Sequence, residues 1–192
     1  MPLWAAWDAV PLSSSLAGLI IVGTDLREVI ILSDPTYEGT VLIEAPVHSV
    51  FDFCLDPRRI FAGDPMKVFD ATLVPEGVGT TARLAGSMLI FVQDVPIEYV
   101  EVVPDERIVF EGDWRMTIMG LGIGFSAGVH SWTWSFVSEG EGTRLTMRVV
   151  VLKSPRWQRA LDRMAEKSNS KQIRERLARI KAAAEEQAAT AS

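Results

Sequence analysis

From Lys67 to Leu152 apolar and polar residues alternate with a period of two, and from Pro155 to Gln187 the period lengthens to that of a helix. The alternation predicts strands at Thr40–Ala45, Lys67–Val74, Thr80–Val92, Ile97–Val103, Ile108–Thr117, Val129–Val137 and Arg144–Leu152. Between the first two, Pro46 suits the first turn of a helix, and Val50, Phe51, Cys54 and Leu55 supply its apolar face. Asp56-Pro57 ends that helix because the residue before proline avoids the α region, and a second short helix at Arg58–Ala62 follows. Pro75-Glu76-Gly77, Pro104-Asp105-Glu106 and Glu139-Gly140-Glu141-Gly142 carry turn chemistry, so the strands join by short hairpins into an antiparallel, strongly bent sheet. In the closing helix Trp157, Leu161 and Met164 form one apolar stripe, and Ile173, Leu177, Ile180 and Ala184 resume it. Ser168-Asn169-Ser170 shifts the phase between the two halves, which predicts a kink or a small-residue patch facing the interior. The fold class is therefore α+β. One long helix across a bent sheet tends to leave a cavity between them.

Alternation also assigns the faces. In Val129–Val137, His130, Trp132, Trp134 and Phe136 share one side and Ser131, Thr133 and Ser135 the other. The aromatic side should face the helix, because a solvated sheet face would not carry two tryptophans side by side. Ile108, Phe110, Trp114 and Met116 fall together, opposed by Glu111, Asp113 and Arg115, and Arg83 is expected on the solvent side. The interior is thus rich in Trp, Phe and Met, with His130 the polar residue among them: a satisfied core residue or the anchor of a pocket. Ile118 to Gly128, with glycines at 120, 122, 124 and 128 between Leu121, Ile123 and Phe125, lacks the following helix and the Lys-Ser/Thr of a phosphate cradle. It reads as an apolar lid or as an ordinary long hairpin loop. The candidate lining is Trp114, Met116, Met119, Leu121, Phe125, His130, Trp132, Trp134, Phe136 and Met164.

Composition narrows the picture. At 192 residues, 48% apolar and 23% charged, the chain can build one domain with a sizeable core. Cys54 is the single cysteine, so no intrachain disulfide forms, and two histidines without cysteine partners exclude a zinc site. No metal and no cofactor is expected. The net charge of −6 is uneven: Lys153 to Lys181 holds ten basic residues against Asp162, Glu166 and Glu175. A basic helix can touch acidic lipid or nucleic acid, but the acidic remainder disfavours nucleic acid, and a solvated helix face is the simpler reading. The early apolar run Leu16–Gly23 is far short of a membrane span of about 20 residues, and no Lys or Arg precedes it, so neither a transmembrane helix nor a leader is expected and a cytoplasmic location is the default. Residues 1–38 read as an extension that either covers the sheet, makes an oligomer contact such as a homodimer, or is poorly ordered; residues 39–187 are the domain and 188–192 a tail.

The segments Val41-Leu-Ile-Glu-Ala-Pro-Val-His-Ser-Val-Phe-Asp-Phe53, Gly77-Val-Gly-Thr80, Trp132-Thr-Trp-Ser-Phe136, Gly142-Thr-Arg-Leu-Thr146 and Leu177-Ala-Arg-Ile-Lys181, in this order and spacing, resemble the polyketide cyclase/dehydrase-like branch of the START/Bet v 1 (SRPBCC) superfamily. The resemblance covers about residues 37–187. It implies a helix-grip fold, a seven-stranded antiparallel sheet wrapped around a long C-terminal helix with two short helices after the first strand, and a hydrophobic ligand cavity. It implies no catalytic set, because the superfamily shares none.

Three function classes follow. The first is binding of a hydrophobic or aromatic small molecule such as a polyketide, lipid, quinone or sterol-like compound, with His130 orienting one oxygen. The second is a cyclase or dehydratase with His130 as acid/base and Asp113, Glu98, Asp70 or Tyr99 as its partner. The third is an interaction module using the basic helix or residues 1–38.

Overall fold

The alternating segments pair into one sheet of seven antiparallel strands. The computed structural model describes residues 36–88, 91–153 and 156–191, with the side chains of 36, 88, 156–168 and 191 outside the description. Its elements are β1 (Thr36–Ile43), α1 (Val47–Leu55), α2 (Pro57–Ile60), β2 (Lys67–Thr72), β3 (Thr81–Met88), β4 (Phe91–Val103), β5 (Arg107–Ile118), β6 (Ile123–Glu139), β7 (Gly142–Lys153) and α3 (Arg156–Ala191). The strand order is β1-β7-β6-β5-β4-β3-β2, so every neighbour after β1 is a sequence neighbour and β1 closes onto β7. This is the expected α+β helix-grip arrangement. The short strands considered within residues 1–35 lie outside the described residues.

The expected faces hold. Tyr37, Ile43, Ile97, Tyr99, Ile108, Phe110, Trp132, Trp134, Phe136, Leu145, Met147 and Val149 form one buried cluster on the inner face. Register shifts at Val68/Asp70, Tyr99/Glu101, Trp114/Arg115 and Val129/His130 are bulges that bend the sheet around what it covers. Where the β4 and β5 strands meet, a Cβ on Gly112 would meet the Pro96 carbonyl at 2.8 Å, so this position has no room for a side chain.

Several boundaries differ from expectation: β1 runs Thr36–Ile43 rather than Thr40–Ala45, so it starts within the segment read as an extension, and β2 stops at Thr72. The run read as Thr80–Val92 is cut by the β3–β4 hairpin, and β4 begins at Phe91 rather than Ile97. Gln93-Asp94-Val95-Pro96 looks like a turn, yet Pro96 is exposed and the β4–β5 ladder steps from Asp94 paired with Arg115 to Ile97 paired with Gly112. Leu89-Ile90, between the strands, contains none of the usual turn residues. Ile118 to Gly128 is mostly strand rather than loop: the turn closes with Leu121 and Gly122 both donating to the Ile118 carbonyl at 3.2 Å. Gly120 and Gly122 sit at φ +84 and +65, where an L side chain is strained.

Local chemistry sets the helices. α1 starts after Pro46 and buries Val50, Phe51, Phe53 and Cys54, while the Asp56 carboxylate caps α2 by accepting from the Arg58 amide at 2.9 Å. Phe51 and Phe61 carry α1 and α2 onto the inner face through edge contacts with Phe136 and Phe110. α3 runs as one helix through Ser168-Asn169-Ser170. Its buried stripe of Ile173, Leu177, Ile180 and Ala184 lies along β1, where Gly39 leaves the room that Ile173 and Leu177 fill. Farther on, Lys181 Nζ donates to the Leu42 carbonyl, and Glu185 accepts from the Glu44 amide.

One ionic cluster pins α3 to the α2–β2 connection. Asp64 is buried and accepts from Arg176 Nε at 2.7 Å and from an Arg179 guanidinium nitrogen at 3.1 Å. Arg176 also lies 4.7 Å above the Phe61 ring. Removing one partner of such a cluster strands the other charge inside. Asp64→Ala is expected to destabilise by about 3 kcal/mol, read as a lower urea midpoint at unchanged m-value; a loss below about 0.5 kcal/mol would reduce the cluster to a surface-like pair.

Candidate functional site

β4, β5 and β6 lay a file of rings across the inner face because their inward positions are in register. Tyr99 stacks on Phe110 at 5.4 Å, Phe110 on Trp132 at 5.2 Å, and Trp132 on Trp114 at 6.2 Å between centroids. His130 closes the file, 5.7 Å from Trp132 and 5.4 Å from Trp114. Burial falls along it: Tyr99 and Phe110 are fully enclosed, Trp132 nearly so, and Trp114 half-buried. Beyond Trp114 the inner positions are Met116 and Phe125, opposite each other in register and both half-buried.

The candidate residues therefore separate. Trp114, His130 and Trp132 meet, with Met116 and Phe125 next along the face. Trp134 and Phe136 continue the inner face toward α1 as part of the core. Met119 and Leu121 stand 54% and 68% exposed at the β5–β6 turn. The Met164 side chain lies outside the described residues. One residue was not anticipated: Gln93, buried and in register with Met116, places an amide on the same face. Its alternation with Val95, Ile97 and Tyr99 is the signal, missed because the predicted strands stop at Val92 and resume at Ile97.

Among the described residues the polar groups on this face are few. His130 is buried, and its Nδ1–H donates to the Gly128 carbonyl at 3.2 Å, the tautomer that leaves the lone pair on Nε2. The indole Nε1 of Trp134 is buried without a hydrogen-bond acceptor among the described residues, a donor that a ligand oxygen or a buried water would satisfy. The partners considered for His130 are placed elsewhere. Asp113 lies on the outer face bonded to Arg115 and Ser126, Glu98 is exposed opposite Glu111, and Asp70 is exposed opposite Arg83. Tyr99 is enclosed in the core, its hydroxyl 3.5 Å from the Cys54 carbonyl. Arg83 is bidentate to Asp94 on the outer face, which raises its already high pKa through that hydrogen bond and charge.

Burial pushes the Tyr99 phenol and the Cys54 thiol far above their ordinary values, so neither is a base or a nucleophile near neutral pH. Among the described residues no group of three His, Cys, Asp or Glu could hold a metal ion. An open cleft of about 800 Å³ lies at the opposite end of the sheet, between the end of β1 and the β6–β7 turn. It is lined by Glu44, Glu139 and Glu141 and by none of the candidate residues, and its acidic rim does not suit an apolar ligand.

The sequence matches the family described as polyketide cyclase / dehydrase and lipid transport over residues 34–185. No curated protein matches it. Its fold is similar to that of an Arthrobacter aurescens protein (TM-score 0.58, 16% identity, covering 79% of this chain and 86% of that one). A Chromobacterium violaceum protein is comparable (0.55, 16%, covering 79% and 98%). DynU16, a protein in the dynemicin biosynthetic locus, is similar at 0.51 with 19% identity; the alignment covers 76% of this chain and under half, 45%, of DynU16.

The enclosed thiol has a direct consequence. At pH 8 Cys54 of the native protein is expected to resist a disulfide reagent such as DTNB and to react fully once urea unfolds the chain. Rapid labelling of the folded protein would show that α1 opens.

Proposed function

This chain belongs to the polyketide cyclase / dehydrase and lipid transport family, and we propose that it binds a hydrophobic or aromatic small molecule on the inner face of the sheet around Trp114, Trp132 and His130. The observation that carries the reading is the burial gradient along the ring file. Tyr99 and Phe110 complete the core, whereas Trp114, Met116 and Phe125 continue the same apolar face only half-buried. Half-buried tryptophan and methionine beside a buried imidazole and the Gln93 amide combine stacking surface, adaptable packing and a few fixed polar groups, the usual chemistry of a small-molecule pocket. An apolar body with one or two oxygens, as in a polyketide, quinone, sterol or fatty acid, matches that balance.

Catalysis is a second reading, and the His130 tautomer favours it: an Nδ1–H held by a carbonyl leaves Nε2 the basic nitrogen. Asp113, Glu98, Asp70 and Tyr99, the partners considered for it, are turned elsewhere.

A ligand present at 100 times its dissociation constant adds about 2.7 kcal/mol, or roughly 5–10 °C in melting temperature for a domain of this size. A screen of fatty acids, quinones, sterols and aromatic polyketides is expected to yield such a shift together with quenching of tryptophan fluorescence. No shift across the panel overturns the binding reading. With a ligand in hand, His130→Ala separates the two readings. One lost hydrogen bond weakens binding by about 1–2 kcal/mol, while loss of an acid/base lowers turnover by roughly 10²–10⁴ with binding retained.

A further inference from the structure

Gln93, Val95, Ile97 and Tyr99 are the buried inner positions of β4. Tyr99 sets its hydroxyl against the Cys54 carbonyl, but the Gln93 amide has no hydrogen-bond partner among the described residues. The residue is only 7% exposed, and the little that stays accessible includes the amide, which therefore looks onto open space rather than into packing. An amide held inside a face with both of its bonds unmade is unfavourable, so the position awaits a partner.

The neighbours shape that space. Gln93 stands in register with Gly86 on β3 and with Met116 on β5, which in turn faces Phe125 on β6. On the β3 side a Cβ built on Gly86 would meet the Pro65 carbonyl oxygen at 3.0 Å and Met66 Cα at 3.3 Å, so the α2–β2 connection packs directly over this glycine. Asp64, one residue earlier, is clamped by Arg176 and Arg179, which pins that cover in place. On the β5 side Met116 and Phe125 are half-buried, and half-buried Trp114 lies two residues along from Met116. The amide thus stands between a fixed cover and an apolar floor. The nearby cations Arg83 and Arg115 belong to the outer face, paired with Asp94 and Asp113, so an ionised group beside Gln93 would meet no countercharge among the described residues.

Resting on the binding reading above, we infer that Gln93 is a specificity-determining residue of this face. Its amide selects a ligand whose neutral head group carries a hydrogen-bond donor and an acceptor side by side, with the apolar body lying over Met116 toward Trp114. A carboxamide offers an N–H and a C=O in one plane, so it makes two bonds at once to another amide, a lactam or a hydroxyl set beside a carbonyl. A plain ketone or ester accepts from the N–H and leaves the Gln93 carbonyl unmet. An ionised carboxylate does the same and also buries a charge. A site that hydrogen-bonds its ligand rejects an analogue lacking the matching group, because the site's own polar atom is then left unpaired.

The test is calorimetric titration of the full chain with three probes of one shape: the naphthalene carboxamide, its methyl ketone and its carboxylate. The carboxamide is expected to bind about fivefold tighter than the ketone, and the carboxylate weakest of the three. Gln93→Met keeps the length and apolar packing of the side chain and removes the amide. This variant should bind carboxamide and ketone equally and melt no lower than the wild type, since no bond within the chain is lost. Equal binding of the two neutral probes by the wild type overturns the inference, as does a carboxamide preference that survives in Gln93→Met. A variant that melts several degrees lower also overturns it, by showing the amide to be a partnered core group. So does binding by none of the three probes; the binding reading itself falls only if the wider ligand panel also gives no shift.

Discussion

The inner face of the bent sheet cannot face water, and most of the structure follows from how that face is covered. Over the β1 side the cover is α3, held by Ile173 and Leu177 against Gly39 and by Arg176 and Arg179 against Asp64. The apolar contact supplies burial without direction, whereas the ionic contact fixes the rotation of the helix, because one buried carboxylate must serve two guanidinium groups. Arg176 stacked on Phe61 extends the same clamp to α2, whose neighbour α1 covers the Phe136 end through Phe51. The helices thus enclose the face from Phe136 to Tyr99 and Phe110.

What they enclose less completely becomes the candidate site. Ring stacking does not stop where burial does: the file continues from Phe110 through Trp132 to Trp114 and His130. Core and site are therefore one surface, and the core half holds the site half rigid. The Gly128 carbonyl, beside the bulge at Val129/His130, orients the imidazole. Substitutions at Trp132 would disturb stability and binding together, whereas Trp114 is the better probe of binding alone.

The same bent sheet separates charge. Turn carboxylates gather at one end and exposed hairpin apolar groups at the other, and the candidate residues Met116 and Phe125 lie toward the latter.

Period-two alternation, proline and glycine punctuation and the long helical stripe determined by themselves the element order, the seven strands, the inward aromatic set and the burial of Cys54. Alternation reports which face a side chain is on, but not how far along that face the cover extends. Only tertiary packing could divide Trp134 in the core from Trp114 at its margin, or turn Asp113, Glu98 and Asp70 away from His130 through strand register. Gln93 stayed hidden because Pro96 imitates a turn when the pairing that accommodates it is unseen, and the hairpin reach of Ile118 to Ile123 because glycines suit a loop and a tight strand turn equally. The Asp64 clamp joins residues more than a hundred positions apart, a contact that no local pattern encodes.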